Sequence, residues 1–268
     1  MKSIDSFKNV ALSKPDLAPC EGYQEASSAN DSIDDLNQYA TKLREAYLNA
    51  YTRVSLCTQE QTDELYNLYP CNFLRACSAK LRDIECLGYN TKHQSLAIIL
   101  KSGDKTQAIA TRRLRDEAGN IVEGKKWIRA KGSNNGFIPH RFNKSDDVVF
   151  IAEGIGEVGL FEILKASYVC FQNAGEISKF EYSTLKDEIL EGLKGKRVIC
   201  FVDNDEPSQN GFNALYPVIG GDLYQVRFKD KPKGYDLRDL IMELSGKYNY
   251  KELLKALQTE IKARQERV

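Results

Sequence analysis

Two apolar runs that stop abruptly in carboxylates set the strongest constraint on what this chain can become. Val148-Val149-Phe150-Ile151-Ala152 runs straight into Glu153, and Val198-Ile199-Cys200-Phe201-Val202 runs into Asp203 and Asp205. Runs of this length without polar alternation read as strands covered on both faces, and open α/β sheets gather their ligands at the carboxyl ends of such strands. From residue 147 onward strands are expected at 148–152, 167–172, 197–203 and 222–228. Helices are expected at 155–166, 179–193, 208–217, 236–245 and 248–265. That alternation predicts an α/β fold, a parallel sheet with helices on both faces. Gly195 and Gly220-Gly221 fall where helix-to-strand turns belong.

The first half has a different texture. Residues 1–30 are rich in Ser, Asn, Asp and Lys with few periodic apolar positions, and a weakly ordered tail is expected there. Over residues 34–82 apolar side chains recur at helical spacing (Leu36, Tyr39, Leu43, Tyr47, then Leu65, Leu68, Leu74), which predicts two or three helices. Thr58 with Gln61 three residues on reads as a helix start. Residues 96–142 break into short alternating segments around a Gly119-Asn120 turn, the signature of antiparallel strands. This stretch carries Arg112, Arg113, Arg129 and Lys131, with Trp127 among them. Basic groups interleaved with an aromatic suit nucleic acid or a nucleotide, with Trp127 as a stacking platform, although a solvated sheet face carries similar charges.

Composition narrows the classes. Lys+Arg and Asp+Glu are both 38, so the net charge is zero and any attraction for nucleic acid has to come from local clusters. No apolar stretch approaches the roughly 20 residues of a membrane span, and no secretory leader is visible, so no membrane partner and a cytoplasmic location are expected. Seven cysteines without a Cys-x-x-Cys pair argue against a disulfide framework. Cys57, Cys71, Cys77 and Cys86 cluster in sequence, but their spacings fit no zinc ribbon, so no zinc is expected and a helical core is the better reading.

Three segments taken in order are more specific than any of them alone: Ile151-Ala-Glu-Gly-Ile-Gly-Glu157, Phe201-Val-Asp-Asn-Asp205 and Gly234-Tyr-Asp-Leu-Arg-Asp-Leu240. Together they resemble the Toprim domain, shared by bacterial-type primases, type IA and II topoisomerases and some nucleases. The match covers roughly residues 147–241. It departs from the family at Glu157, where an Asp is usual, and at 206–211, which read as a longer loop. The basic segment upstream is similar to the part of phage and plasmid primases that precedes Toprim. The expected organisation is thus a tail (1–30), a smaller α+β basic subdomain (31–146), a Toprim domain (147–247) and a C-terminal helix (248–268).

The resemblance implies a DNA primase core: Mg²⁺- or Mn²⁺-dependent synthesis of RNA primers from ribonucleoside triphosphates on a single-stranded DNA template, with a replicative helicase as a candidate partner. Glu153, Asp203 and Asp205 are the expected catalytic metal ligands, since hard divalent ions prefer carboxylate oxygens and alternate residues at a strand end face one way. Gly154 would turn the backbone beside the ion. Asp236 and Asp239, three apart at a helix start, would hold a second ion for in-line attack. Helix capping explains each aspartate taken singly just as well. Arg112, Arg113, Trp127, Arg129 and Lys131 would contact template or triphosphate. A Toprim nuclease and a non-catalytic nucleic-acid-binding accessory remain alternatives. A topoisomerase would need domains for which this length has no room.

Overall fold

The computed structural model describes residues 33–50, 57–90, 95–103, 105–112 and 127–268. The expected tail, the turn at 119–120 and Arg113 lie outside these residues.

The first half consists of helices α1 (Ile33–Ala50), α2 (Gln59–Leu68) and α3 (Cys71–Ala76), followed by strands β1 (Leu87–Asn90), β2 (Ser95–Ser102), β3 (Lys105–Arg112) and β4 (Trp127–Arg129). The start of α2 follows from its sequence: Thr58 Oγ1 accepts from the Gln61 amide at 3.3 Å, and Gln61 Oε1 accepts from the Thr58 amide at 2.9 Å. These two bonds satisfy donors that the helix itself cannot. The four strands form an antiparallel meander in the order β1-β2-β3-β4. Strands β2, β3 and β4 correspond to the expected antiparallel stretch of 96–142, whereas β1 precedes it. Leu43 of α1 packs on Ala97 and Ile109 on one face of this sheet.

The second half comprises β5 (His140–Arg141), β6 (Val148–Glu153), α4 (Gly156–Leu164), β7 (Ser167–Phe171), α5 (Ala174–Ile177), α6 (Lys186–Leu193), β8 (Arg197–Val202), α7 (Glu206–Ile219), β9 (Asp222–Arg227), α8 (Leu237–Lys247), α9 (Leu253–Arg264) and β10 (Gln265–Arg267). The sheet order is β10-β9-β8-β6-β7-β5. The four inner strands β9, β8, β6 and β7 are parallel, as expected. The short edge strands β5 and β10 run antiparallel, so the sheet is mixed rather than purely parallel. Both edges are only two or three residues long, too short to leave an apolar periodicity in the sequence.

Two other expectations change. The single helix expected at 179–193 is instead a 3₁₀ turn at Phe180–Tyr182 followed by α6, and α5 precedes it as an element not expected. The break falls at Ser183, whose Oγ accepts from the Leu185 amide and offers the backbone an alternative to helix. Residues 206–211 are the first turns of α7, not a loop. Asp205 caps that helix, and Pro207 sits in its first turn, where a missing N–H costs nothing.

Both sheet faces are covered. On one side α5, α6 and α7 bury Val149, Ile151, Val198, Cys200 and Phe212. On the other, α4, α8 and α9 share a single core with the first half: Tyr69, Phe73, Ile98 and Ala110 belong to the same apolar cluster as Phe150, Phe161, Phe201 and Leu240. Phe161 is central, with ring centroids 5.6 Å from Phe150, 5.7 Å from Tyr168 and 6.3 Å from Phe201. Each such ring contributes about 1.5–3 kcal/mol by leaving water. Cys77 and Cys86 lie in this core, and burial pushes the Cys77 thiol up to about 12. Among the described residues no helix is long and apolar enough to cross a membrane.

Candidate active site

Strand β6 pairs with β7 on one side and β8 on the other, so the chain reverses its winding direction at β6. A crevice opens outside the carboxyl ends of the strands at such a point. The β6–β8 register runs from Val148↔Arg197 to Ala152↔Phe201. Glu153 therefore emerges one strand away from Val202 and Asp203, and neighbouring strands lie only about 4.8 Å apart.

Three further features shape this strand end. Gly154 turns the chain with φ +110°, and a Cβ there would collide with the Glu157 carboxylate. Glu157, in the first turn of α4, has a side chain only 1 % exposed. Tyr69, at the end of α2, donates its hydroxyl to the Gly156 carbonyl at 2.6 Å and ties the first half of the chain to this turn.

Ser208 is the hub of the β8 side, and sequence reasoning missed it. It is fully buried; its amide donates to Asp205 Oδ1 at 2.8 Å, and its Oγ accepts from the Asp203 amide at 3.2 Å. The Ser208 hydroxyl also bonds to Glu153, as does the Ala174 amide of α5. The Asp-x-x-Ser spacing of a capped helix is the signal that could have found it.

The carboxylates interact strongly. Burial first, then Glu157, Asp236, Glu153 and Asp205, push Asp203 up to about 9. Burial also raises Glu153, against the hydrogen bond from Ser208. Five acidic groups from three separate segments thus influence one another at one end of the parallel strands.

Asp236 and Asp239 are engaged with each other and with Arg238. Asp236 caps α8: its Oδ1 accepts from the Asp239 amide at 2.9 Å, while Asp239 Oδ2 accepts from the Asp236 amide at 3.1 Å. The other Asp236 oxygen accepts from Arg238 Nη2 at 2.7 Å. Arg238 Nε reaches back to Glu157 Oε1 at 2.6 Å, and its Nη1 lies where a Cβ on Gly156 would be, 2.5 Å from that position. Arg238 is therefore a cation clasped between two carboxylates, and the pairing with Glu157 and Asp236 raises it further above the ordinary arginine range although burial opposes this.

The predicted basic residues separate into two groups. Arg112, at the end of β3, is partly buried, and its Nε has no hydrogen-bond partner. Burial, then the nearby Arg238, lower it, while Glu64, Tyr69 and Asp236 favour its charge. Lys131 is exposed in the turn after β4. Arg129 is a structural brace instead of a free contact. Its guanidinium donates to the carbonyls of Asn134 (2.6 Å) and Phe137 (2.7 Å), and its side chain is 5 % exposed. Trp127 is half-buried against the main core.

Beside Asp205 lies an open polar cleft of about 350 Å³ lined by Asn204, Asp205, Glu206, Gln209 and Lys233. Asn204 locks its floor: its amide donates to the Tyr235 carbonyl at 3.0 Å and accepts, through its own carbonyl, from Gly234 at 2.9 Å. The neighbouring lysines are committed, Lys229 to Glu266 and Lys231 to Glu243. Lys233 is exposed and forms no ion pair among the described residues.

An all-oxygen donor set of Glu153, Asp203 and Asp205 fits a hard divalent ion, and Glu153 Oε2 is buried without a hydrogen-bond partner. The side chains are not a ready-made cage: among the described residues no three His, Cys, Asp or Glu side chains stand in a ligand arrangement, because Asp205 is turned toward its helix.

No family model matches the sequence, and no curated protein matches it. Among solved structures, the primase fragment of the bacteriophage T7 primase-helicase protein is similar with a TM-score of 0.34 and 15 % identity, over 62 % of this chain and 66 % of that fragment. A likeness of that degree carries no argument, and any functional reading rests on the site itself.

Proposed function

We propose that this chain is a divalent-metal-dependent enzyme of phosphodiester chemistry, and specifically a primase that joins ribonucleotides on single-stranded DNA. The observation that carries the reading is the convergence of Glu153, Glu157, Asp203, Asp205 and Asp236 at the carboxyl end of the parallel strands, with Arg112 of the antiparallel sheet nearby. Glu153, Asp203 and Asp205 would hold Mg²⁺ or Mn²⁺. When bound, such an ion supplies charge neutralisation for a triphosphate and stabilises the charge that develops at the reacting phosphorus.

The protein's own groups do the rest. Arg112 would meet a phosphate oxygen through its guanidinium, and Lys233 offers an exposed ammonium at the cleft next to Asp205. Lys131 would extend the contact along a template backbone, and a replicative helicase is the partner such an activity would serve. The test is incorporation of labelled ribonucleotides on single-stranded templates of varied sequence with each metal. Template-dependent products lost in Asp203→Asn support the reading. Nicked DNA without incorporation would favour a nuclease, and salt-sensitive DNA binding unchanged by Asp203→Asn, with neither activity, would favour an accessory.

A further inference from the structure

We infer that this site takes one divalent cation, not two, and that the guanidinium of Arg238 stands in the place of the second. This rests on reading Glu153, Asp203 and Asp205 as an ion-binding set, and it concerns what the remaining acidic groups do.

The segment that would supply a second ion's ligands is closed. Of the Asp236 oxygens, Oδ1 accepts from the Asp239 amide and Oδ2 from Arg238. Asp239 turns Oδ2 to the Asp236 amide, completing the reciprocal cap of α8. A metal drawn to either side chain would compete with the reciprocal cap of α8, and at Asp236 with Arg238 as well. Arg238 in turn is committed to these acids: Nε is on Glu157, Nη2 on Asp236, and Nη1 lies beside Gly156. Its role is to neutralise two carboxylates, the service a metal ion would otherwise perform there.

The first ion's position has an independent pointer. Glu157 is 1 % exposed, its Oε1 is held by Arg238, and its Oε2 lies over Gly154 at the head of β6 with no hydrogen-bond partner. That oxygen, with the equally unpartnered Glu153 Oε2, leaves two buried acceptors at the end of β6. Buried acceptors of this kind call for a cation or a bound donor. A glutamate at 157 is long enough to bond Arg238 with one oxygen while the other stays at Gly154.

The experiment is a Mn²⁺ titration of the metal-free full chain, counting bound ions by the loss of the free-ion electron paramagnetic resonance signal. One ion per chain is expected. Asp203→Asn should weaken binding at least tenfold. Asp236→Asn keeps a good helix cap, since Asn caps as well as Asp, and should change affinity less than threefold. Thermal unfolding of each variant verifies that the fold is retained. Two ions per chain, or a tenfold loss in Asp236→Asn, overturns the inference while leaving the ion site standing. No binding at all overturns the ion site and the inference together.

Discussion

Replacing Arg238 by Met should destabilise the protein sharply. The side chain is 19 % exposed and compensates Glu157, which is 1 % exposed, across 2.6 Å, and Asp236, which is 14 % exposed, across 2.7 Å. Removing one partner of a buried ion pair typically costs about 3–5 kcal/mol, because the other charge is left without compensation. Arg238 retains some solvent contact and Asp236 keeps its cap, so the lower end applies, about 3 kcal/mol. That corresponds to roughly a hundredfold in the folding equilibrium. Urea unfolding followed by circular dichroism at neutral pH measures it directly. Glu157→Gln alone should cost less, since the amide oxygen can still accept from Arg238. In Glu157→Gln/Arg238→Met no charge is stranded, so this double variant should be at least 1 kcal/mol more stable than Arg238→Met. An Arg238→Met protein within about 0.5 kcal/mol of the parent, or a double variant no better than Arg238→Met, would refute the clasp as a buried electrostatic contact.

Two further outcomes follow from the second half of the chain. Lys233→Ala should weaken nucleoside triphosphate binding by about three- to tenfold without changing the unfolding midpoint, read by calorimetric titration; unchanged affinity would detach the cleft from the substrate. Hydrogen bonds from Lys231, Lys247 and Tyr235 hold Glu243 down to about 2. Its folded value lies below its unfolded value near 4.5, so its stabilisation is full above about pH 4.5 and disappears as pH falls through about 2. Glu243→Gln should therefore flatten the acid limb of the stability profile between those limits, by no more than about 1 kcal/mol because the group is partly solvated. An unaltered acid limb would remove Glu243 from that role.

Strands β6, β7 and β8 were legible because a strand buried on both faces has to be apolar throughout, and the carboxylates at the ends of β6 and β8 stand out against that background. The capping box at Thr58 was legible because it is wholly local. The function of Asp236 and Asp239 was not, because a helix cap and a pair of metal ligands share the same spacing. The deciding partners, Arg238 and Glu157, are 81 residues apart. Arg129 misled for a related reason. Its sequence neighbours advertise a basic surface, but the carbonyls that claim it belong to a turn whose course only tertiary packing defines. The six residues after Asp205 read as a loop because the Toprim resemblance expects a turn there, yet they open a helix whose first turn accommodates Pro207.

The apolar interior shared by the antiparallel meander and the parallel sheet makes the two halves one mechanical body. Residues such as Phe150, Phe161 and Leu240 lose part of their cover if the chain is cut before β6, so the acidic end should not survive as a fragment. The placement of Arg112 relative to the carboxylates is then set by packed side chains and not by a hinge between separate units.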